Sequence, residues 1–334
     1  MAITTVTDLQ IVPDKFAQYV NEQRTKKSAL IRSGVATSDP TVSALINGQP
    51  KGGNVIQLPF YKNLSGDDEV FGEEEMSVNG IETDADVATL LIRQNAWGDT
   101  DLARVFGGTD PLAAISGMVA DYWIDKEQIV LVNILNGLFT GSSCALKSHI
   151  LDVSAAEGTD CIIGVDNTLD AKQLMGDAAN KLGVVAMHSA TYTQLQKQNN
   201  IETVYDSDLK VNIQTYLGYE VLVDDDMPVN AGVYDTYFLG KGSFALDDGT
   251  PQGLVPVETA RKPFSSSNYL ITRRAFVLHP HGLAFNANAT FANGKKYASN
   301  ADLAKPANWK ASKELKNIPI VCLRHKLVAN APTA

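Results

Sequence analysis

The chain has 334 residues, a formal net charge of −10 and an isoelectric point near 5.0. Apolar residues make up 44% and charged residues 20%, an ordinary globular balance that supports one large domain with insertions or two domains. The acidic balance argues against a general nucleic-acid binder, because gripping phosphates takes lysine and arginine to release counterions.

The first segment, residues 1–50, contains Asp14–Ile31 with a helical period: Phe16, Val20, Leu30 and Ile31 are its apolar points, and Asp14 is placed to cap. Its middle is polar, so it reads as an arm that needs a partner surface. No long charged leader precedes it, and MAITTVTDLQ lacks the basic and apolar regions of a secretion signal. Residues 51–96 read as an extended hairpin. GGNVIQLPFYKNL is strand-like, with Pro59 placing it on an edge or at a bend. An acidic, glycine-punctuated stretch follows with Lys62, Asp67, Asp68, Glu69, Phe71, Glu73 and Glu74. DVATLLIRQNAWG then returns as a strand. A hairpin with so few apolar residues at its tip is marginal alone in water and calls for support from outside.

Asp110–Phe139 is the longest helical signal. Asp110 suits the cap and Pro111 the first helical position, while Gly137 and Gly141 mark its end. About 30 residues is far beyond the average helix of about 11–12. One apolar row reads Leu112, Ile115, Val119, Tyr122, Ile129 and Val132; a second reads Met118, Trp123, Val130 and Ile134. Charge is confined to Asp121, Asp125, Lys126 and Glu127. Two apolar faces and a narrow polar stripe predict burial on more than one side. Residues 143–250 alternate strands with helices: a helix over Asn167–Leu182, a buried strand VVAMH leading to a helix capped by Ser189 or Thr191, and a strand Tyr219–Val223. Gly240–Gly242 is expected as a hairpin turn. NYLITRRAFVLHPHGLAF is strand-like, a polar excursion follows, and NIPIVCLRHKLVANAP closes the chain as an apolar strand.

The search for chemistry finds no phosphate loop, dinucleotide fingerprint, nucleophile elbow or HExxH. His279 and His281, with Asp224, Asp225 and Asp226, are the best metal-site candidates, but zinc needs a third ligand and an open position. Strand-end histidines and a solvated aspartate turn explain the same residues. His188 at a strand end has no nearby nucleophile in sequence. Cys144, Cys161 and Cys322 are odd in number and widely spaced, which suggests reduced thiols. No cofactor, metal or catalytic residue is expected, and no window of about 18 apolar residues suggests a membrane span.

The order of these parts resembles the major capsid proteins of tailed bacteriophages, the Hong Kong 97-type fold. VVAMHSATYTQL at Val184–Leu195, YLGYEVLVDDDMP at Tyr216–Pro228 and KNIPIVCLRHKLVANAP at Lys316–Pro332 look like recurring stretches of those families. The resemblance implies an α+β fold with an N-terminal arm (1–50), an E-loop hairpin (51–96) and a peripheral domain with a spine helix (97–142). An axial domain (143–310) and a returning peripheral strand (311–334) complete it. It implies a coat protein, not an enzyme, assembling as hexamers and pentamers into an icosahedral head around double-stranded DNA held only non-specifically. The implied partners are copies of itself, a separate scaffolding protein, a portal and, in some members, a decoration protein. Assembly is expected in the host bacterial cytoplasm. The E-loop lysine–asparagine cross-link of some members does not carry over: Lys51 and Lys62 lie in the hairpin, but no partner asparagine can be matched. An encapsulin-type nanocompartment and a metal-dependent cytoplasmic hydrolase are the alternatives.

Overall fold

The computed structural model describes residues 33–38, 40–47, 53–71, 76, 78–107, 118–206, 211–291 and 294–329. The predicted helix within the arm (14–31) and the first turns of the long helix, with Leu112 and Ile115, lie outside the described residues.

In chain order, the first elements are β1 (Ala36–Thr37), α1 (Pro40–Asn47), β2 (Val55–Tyr61), β3 (Thr83–Thr89), β4 (Leu91–Thr100), α2 (Asp101–Gly107) and α3 (Val119–Phe139). Then come β5 (Ile150–Asp152), α4 (Val165–Gln173), β6 (Leu182–Met187), α5 (Ser189–Lys197), β7 (Ile201–Asp206), β8 (Val211–Tyr216) and β9 (Tyr219–Val223). The chain continues with β10 (Val229–Asn230), β11 (Val233–Gly240), β12 (Phe244–Gly249), β13 (Val257–Lys262), β14 (Ser267–Pro280) and β15 (Leu283–Phe285). It closes with α6 (Asn300–Leu303), β16 (Trp309–Ala311) and β17 (Ile320–Lys326).

Two larger sheets organise these elements. An eight-stranded mixed sheet has the order β5-β17-β11-β6-β9-β8-β7, with β10 beside β11. Its inner strands alternate between two cores. Val184, Ala186, Tyr237, Leu239, Ile320 and Cys322 face one core. Val185, Met187, Phe238, Val321 and Leu323 face the other. Successive side chains of a strand point to opposite faces. With both faces covered, the strands read as unbroken apolar runs, VVAM, YFL and IVCL, instead of alternating. The closing strand β17 is thus an inner strand of this sheet, between β5 and β11.

The second sheet centres on the 14-residue strand β14. β14 pairs with β13 over Ser267–Thr272, with β12 over Ala275–Pro280, and with β4 on its other side over Ser267–Phe276. Strands distant in sequence therefore share one layer. Gly240–Gly242 is not a hairpin turn. β11 belongs to the eight-stranded sheet and β12 to the five-stranded one, so these glycines carry the chain between sheets, with Gly242 at φ +70°.

The long helix α3 lies between the two sheets. Leu131, Ile134, Leu135 and Leu138, at helical spacing, share a core with Ala186 and Tyr237 of one sheet and Phe276 and Leu278 of the other. Trp123, Val130 and Ile134 are buried, whereas Val119, Tyr122 and Ile129 are half-buried. Gly137 does not end the helix. It sits inside it, where a side chain would collide with the Leu303 carbonyl; Gly141, at φ +80°, follows the actual end at Phe139.

Two helix boundaries also differ from expectation. α4 stops at Gln173 because Gly176, at φ +57°, turns the chain into a 3-10 segment, Gly176–Lys181, before β6. α5 is capped by His188, not by Ser189 or Thr191: its Nδ1 accepts from the Ala190 amide at 3.0 Å.

Candidate assembly surface

The hairpin β2–β3 pairs in register from Val55 opposite Thr89 to Tyr61 opposite Thr83 and forms a two-stranded sheet of its own. Pro59 is tolerated there because, among the described residues, β2 pairs on one side only. The root is held by burial: Ile56, Ala88 and Leu90 pack with Val42, Ile46, Ala275 and Val277. Beyond Tyr61 the apolar side chains of the described tip residues stand exposed. Val70 is 97% exposed, Phe71 101% and Val78 92%, with Leu64, Met76 and Ile81 also exposed. Burying a side chain of this size is worth about 1.5–3 kcal/mol, so the tip holds several such increments unused in the isolated subunit. Asp67, Asp68 and Glu69 are exposed beside them; Glu73 and Glu74 lie outside the described residues. At the neck, Lys62 donates to Glu82 at 3.0 Å, a bond that raises its pKa.

The polar residues of the long helix divide. Asp121 is exposed, and Asp125 and Lys126 are half-buried, with the Lys126 ammonium 5.2 Å from the Tyr122 ring centre. Tyr122 also meets Trp97 edge-on and accepts a hydrogen bond from Asn95. Glu127 does not join the polar stripe. It is buried, with the Arg274 guanidinium 2.7 Å from its Oε1, while the same guanidinium binds Asp248 of β12. Burial outweighs Arg274 and pushes the Glu127 carboxyl up to about 7. Next to it Gln128 donates to buried Asp224, which ties α3 to the end of β9. Sequence reading missed these links because Arg274 and Asp224 lie far along the chain.

The metal-site candidates do not come together. His279 is buried in β14, donates to the Leu283 carbonyl at 2.7 Å and stacks on Trp309; burial lowers its pKa to about 4. Asp224–Asp226 follow β9 of the other sheet, where Asp224 accepts from the Asp226 amide. Among the described residues no group of three or more His, Cys, Asp or Glu is placed to hold a metal ion. The three cysteines are free and buried.

An under-covered hairpin and a long helix between two sheets suit a building element. Residues 126–319 match the Gp13-like family, described as major capsid protein 13-like. The chain is also 36% identical over 335 residues to the major capsid protein of Bacillus phage SPP1, covering 98% of this chain and all of that one. This chain belongs to the Gp13-like major capsid protein family.

That family is structural, not enzymatic, which removes the hydrolase alternative. A Gp13-like subunit works by associating with copies of itself, and its place is the virion capsid. The fold is that of phage capsids. The capsid of Ralstonia phage GP4 superposes with a TM-score of 0.58 at 10% identity, covering 96% of this chain and 97% of that one. The same fold occurs in the holo-SrpI encapsulin complex of Synechococcus elongatus, with a TM-score of 0.53 at 8% identity over 100% of this chain and 99% of that one.

Proposed function

We propose that this coat protein forms hexamers and pentamers that close an icosahedral head around double-stranded DNA, with the hairpin tip as the inter-subunit contact. The observation carrying this reading is the row of exposed apolar side chains from Leu64 to Ile81 on a hairpin whose root is firmly packed. Monomeric proteins rarely leave such surface open, and a neighbouring subunit is the available cover. Identical contacts repeated by symmetry then close the shell. In this reading residues 1–50 reach along a neighbour, 51–96 form the E-loop, 97–142 carry the spine helix and 143–310 the axial domain, with 311–334 completing the subunit. A separate scaffolding protein and a portal take part in assembly in the host cytoplasm. The net charge of −10 suits a wall that holds packaged DNA without gripping it.

Replacing residues 64–80 with a two-residue turn tests the reading. Folded, soluble subunits that form no shells by negative-stain electron microscopy are expected; normal particles would overturn it. The encapsulin alternative shares the fold but has no comparable sequence kinship behind it, and packaged DNA inside purified particles would separate the two.

A further inference from the structure

The root of the hairpin contains a buried carboxylate that neither the long helix nor the tip accounts for. Asp86, on β3 opposite Leu58, is 4% exposed. Its two oxygens are used by three groups from elsewhere in the chain. Oδ1 accepts from the Ser312 hydroxyl, Oδ2 accepts from the Gly282 amide at 3.3 Å, and the Lys313 ammonium stands 3.4 Å from Oδ2. The same ammonium lies 4.8 Å from the ring centre of Phe60 on β2. One lysine thus touches both strands of the hairpin, and one carboxylate joins the hairpin to the turn after β14 and to the segment after β16.

Geometry makes this contact directional. Gly282 sits at φ +82°, which aims its amide at Asp86, and a side chain there would press on Ile318. Apolar packing holds the root in place but is non-directional in origin, so it constrains the angle of the hairpin less sharply than a set of hydrogen bonds does. Hydrogen bonds to a charged group have a preferred direction, and leaving a partner unpaired in a buried site is costly.

We propose that Asp86 is the positioning residue of assembly: through Ser312, Lys313 and Gly282 it fixes the direction in which the hairpin leaves the subunit, and so where its tip meets a neighbour. This rests on the reading of the tip as the inter-subunit contact. Asp86 is buried within its own subunit, and so acts through the hairpin it aims.

The test uses the full chain under conditions in which the unaltered protein forms shells, and compares D86A, D86N, K313M and the tip replacement of residues 64–80. Hydrogen exchange on unassembled subunits is the direct readout. In D86A, exchange at 55–61 and 83–89 should quicken by about tenfold, the scale of losing bonds to a charged group, while the eight-stranded sheet keeps its protection. D86A should form few or irregular shells. D86N, which keeps one acceptor oxygen for the Gly282 amide and can turn its NH2 toward the Ser312 hydroxyl oxygen, should restore part of the yield, and K313M should fall between. If D86A fails to fold, K313M carries the same test, since Lys313 is partly exposed and its replacement leaves Asp86 bonded. Normal shells from D86A or from K313M, with the tip replacement still blocking assembly, would overturn the positioning role alone. Normal shells from the tip replacement would overturn the reading beneath it. Uniformly faster exchange across the whole subunit would make Asp86 a general stability residue and also overturn the proposal.

Discussion

Gly137→Ala sets helix propensity directly against tertiary packing. Gly137 lies two residues before the end of α3. Judged by the helix alone, alanine should stabilise it by about 1 kcal/mol. A Cβ at this position would lie 2.2 Å from the Leu303 carbonyl oxygen, 3.0 Å from Trp309 Nε1 and 3.2 Å from the Ala304 carbonyl carbon. Ordinary contact is about 3.5 Å, so the loop must retreat by about 1 Å. Two of these three neighbours are backbone atoms of a segment that is itself pinned: Ser299 and Asp302 form a capping box on α6, and Trp309 donates to the Leu303 carbonyl at 2.7 Å. Overpacking of this kind costs about 1–3 kcal/mol, and loss of the indole bond adds about 1 kcal/mol. After subtracting the propensity gain, a net loss of about 1–3 kcal/mol remains. Thermal unfolding of unassembled subunits, followed by circular dichroism, should show a lower Tm, by about 2–4 °C for each kcal/mol. A Tm above that of the unaltered chain would refute the packing argument, because it would mean that the loop yields freely and propensity dominates.

Three further outcomes follow from the same network. The Glu127 carboxyl is pushed up from 4.5 to about 7 by burial, against the pull of Arg274. A folded-state pKa above the unfolded one means that this group's share of stability is full below about 4.5 and declines as pH rises through about 7. The Tm of E127Q minus that of the unaltered chain should therefore grow from pH 4.5 to 7; a flat difference would count against the shift. Asp302 moves the other way: despite burial, bonds from Lys305 and Ser299 bring it from 3.8 down to about 2. Its contribution is present above 3.8 and lost as pH falls through about 2, so the penalty of D302N should shrink in that range, and a pH-independent penalty would contradict the assignment. S299A removes the cap of α6 and should cost about 1 kcal/mol by denaturant midpoint; an unchanged midpoint would show that the cap is dispensable.

Much of the architecture was legible because it is written in local periodicity. The acidic hairpin emerged from two strand-like runs around a glycine-punctuated tip, but only the start of the second run, within Thr83–Thr89, pairs with β2; from Leu91 that run is β4 and pairs with β14 in the five-stranded sheet. The inner strands were readable as apolar runs because both faces of their sheet are buried. Legibility failed where a residue's role depends on a distant partner. Gly137 looked like a helix stop, since nothing nearby in sequence indicates that Leu303 will press against it. His188 was placed at a strand end, but its capping of α5 depends on ring orientation, which sequence does not carry. Gly240–Gly242 had the composition of a hairpin turn; only the pairing of β12 with β14 instead of β11 makes it a crossover.

By itself, then, the sequence determined the long helix and the exposed hairpin, because both follow from the spacing of apolar residues along a continuous segment. Its acidic charge likewise followed from composition alone. The tertiary structure decided how α3 is locked between two sheets and how the hairpin is aimed. Glu127 with Arg274, Gln128 with Asp224 and Asp86 with Ser312 and Lys313 join residues some 95 to 230 positions apart. Such pairs cannot be read from neighbours in sequence, because the free energy of a buried polar group depends on the partner that the fold brings to it.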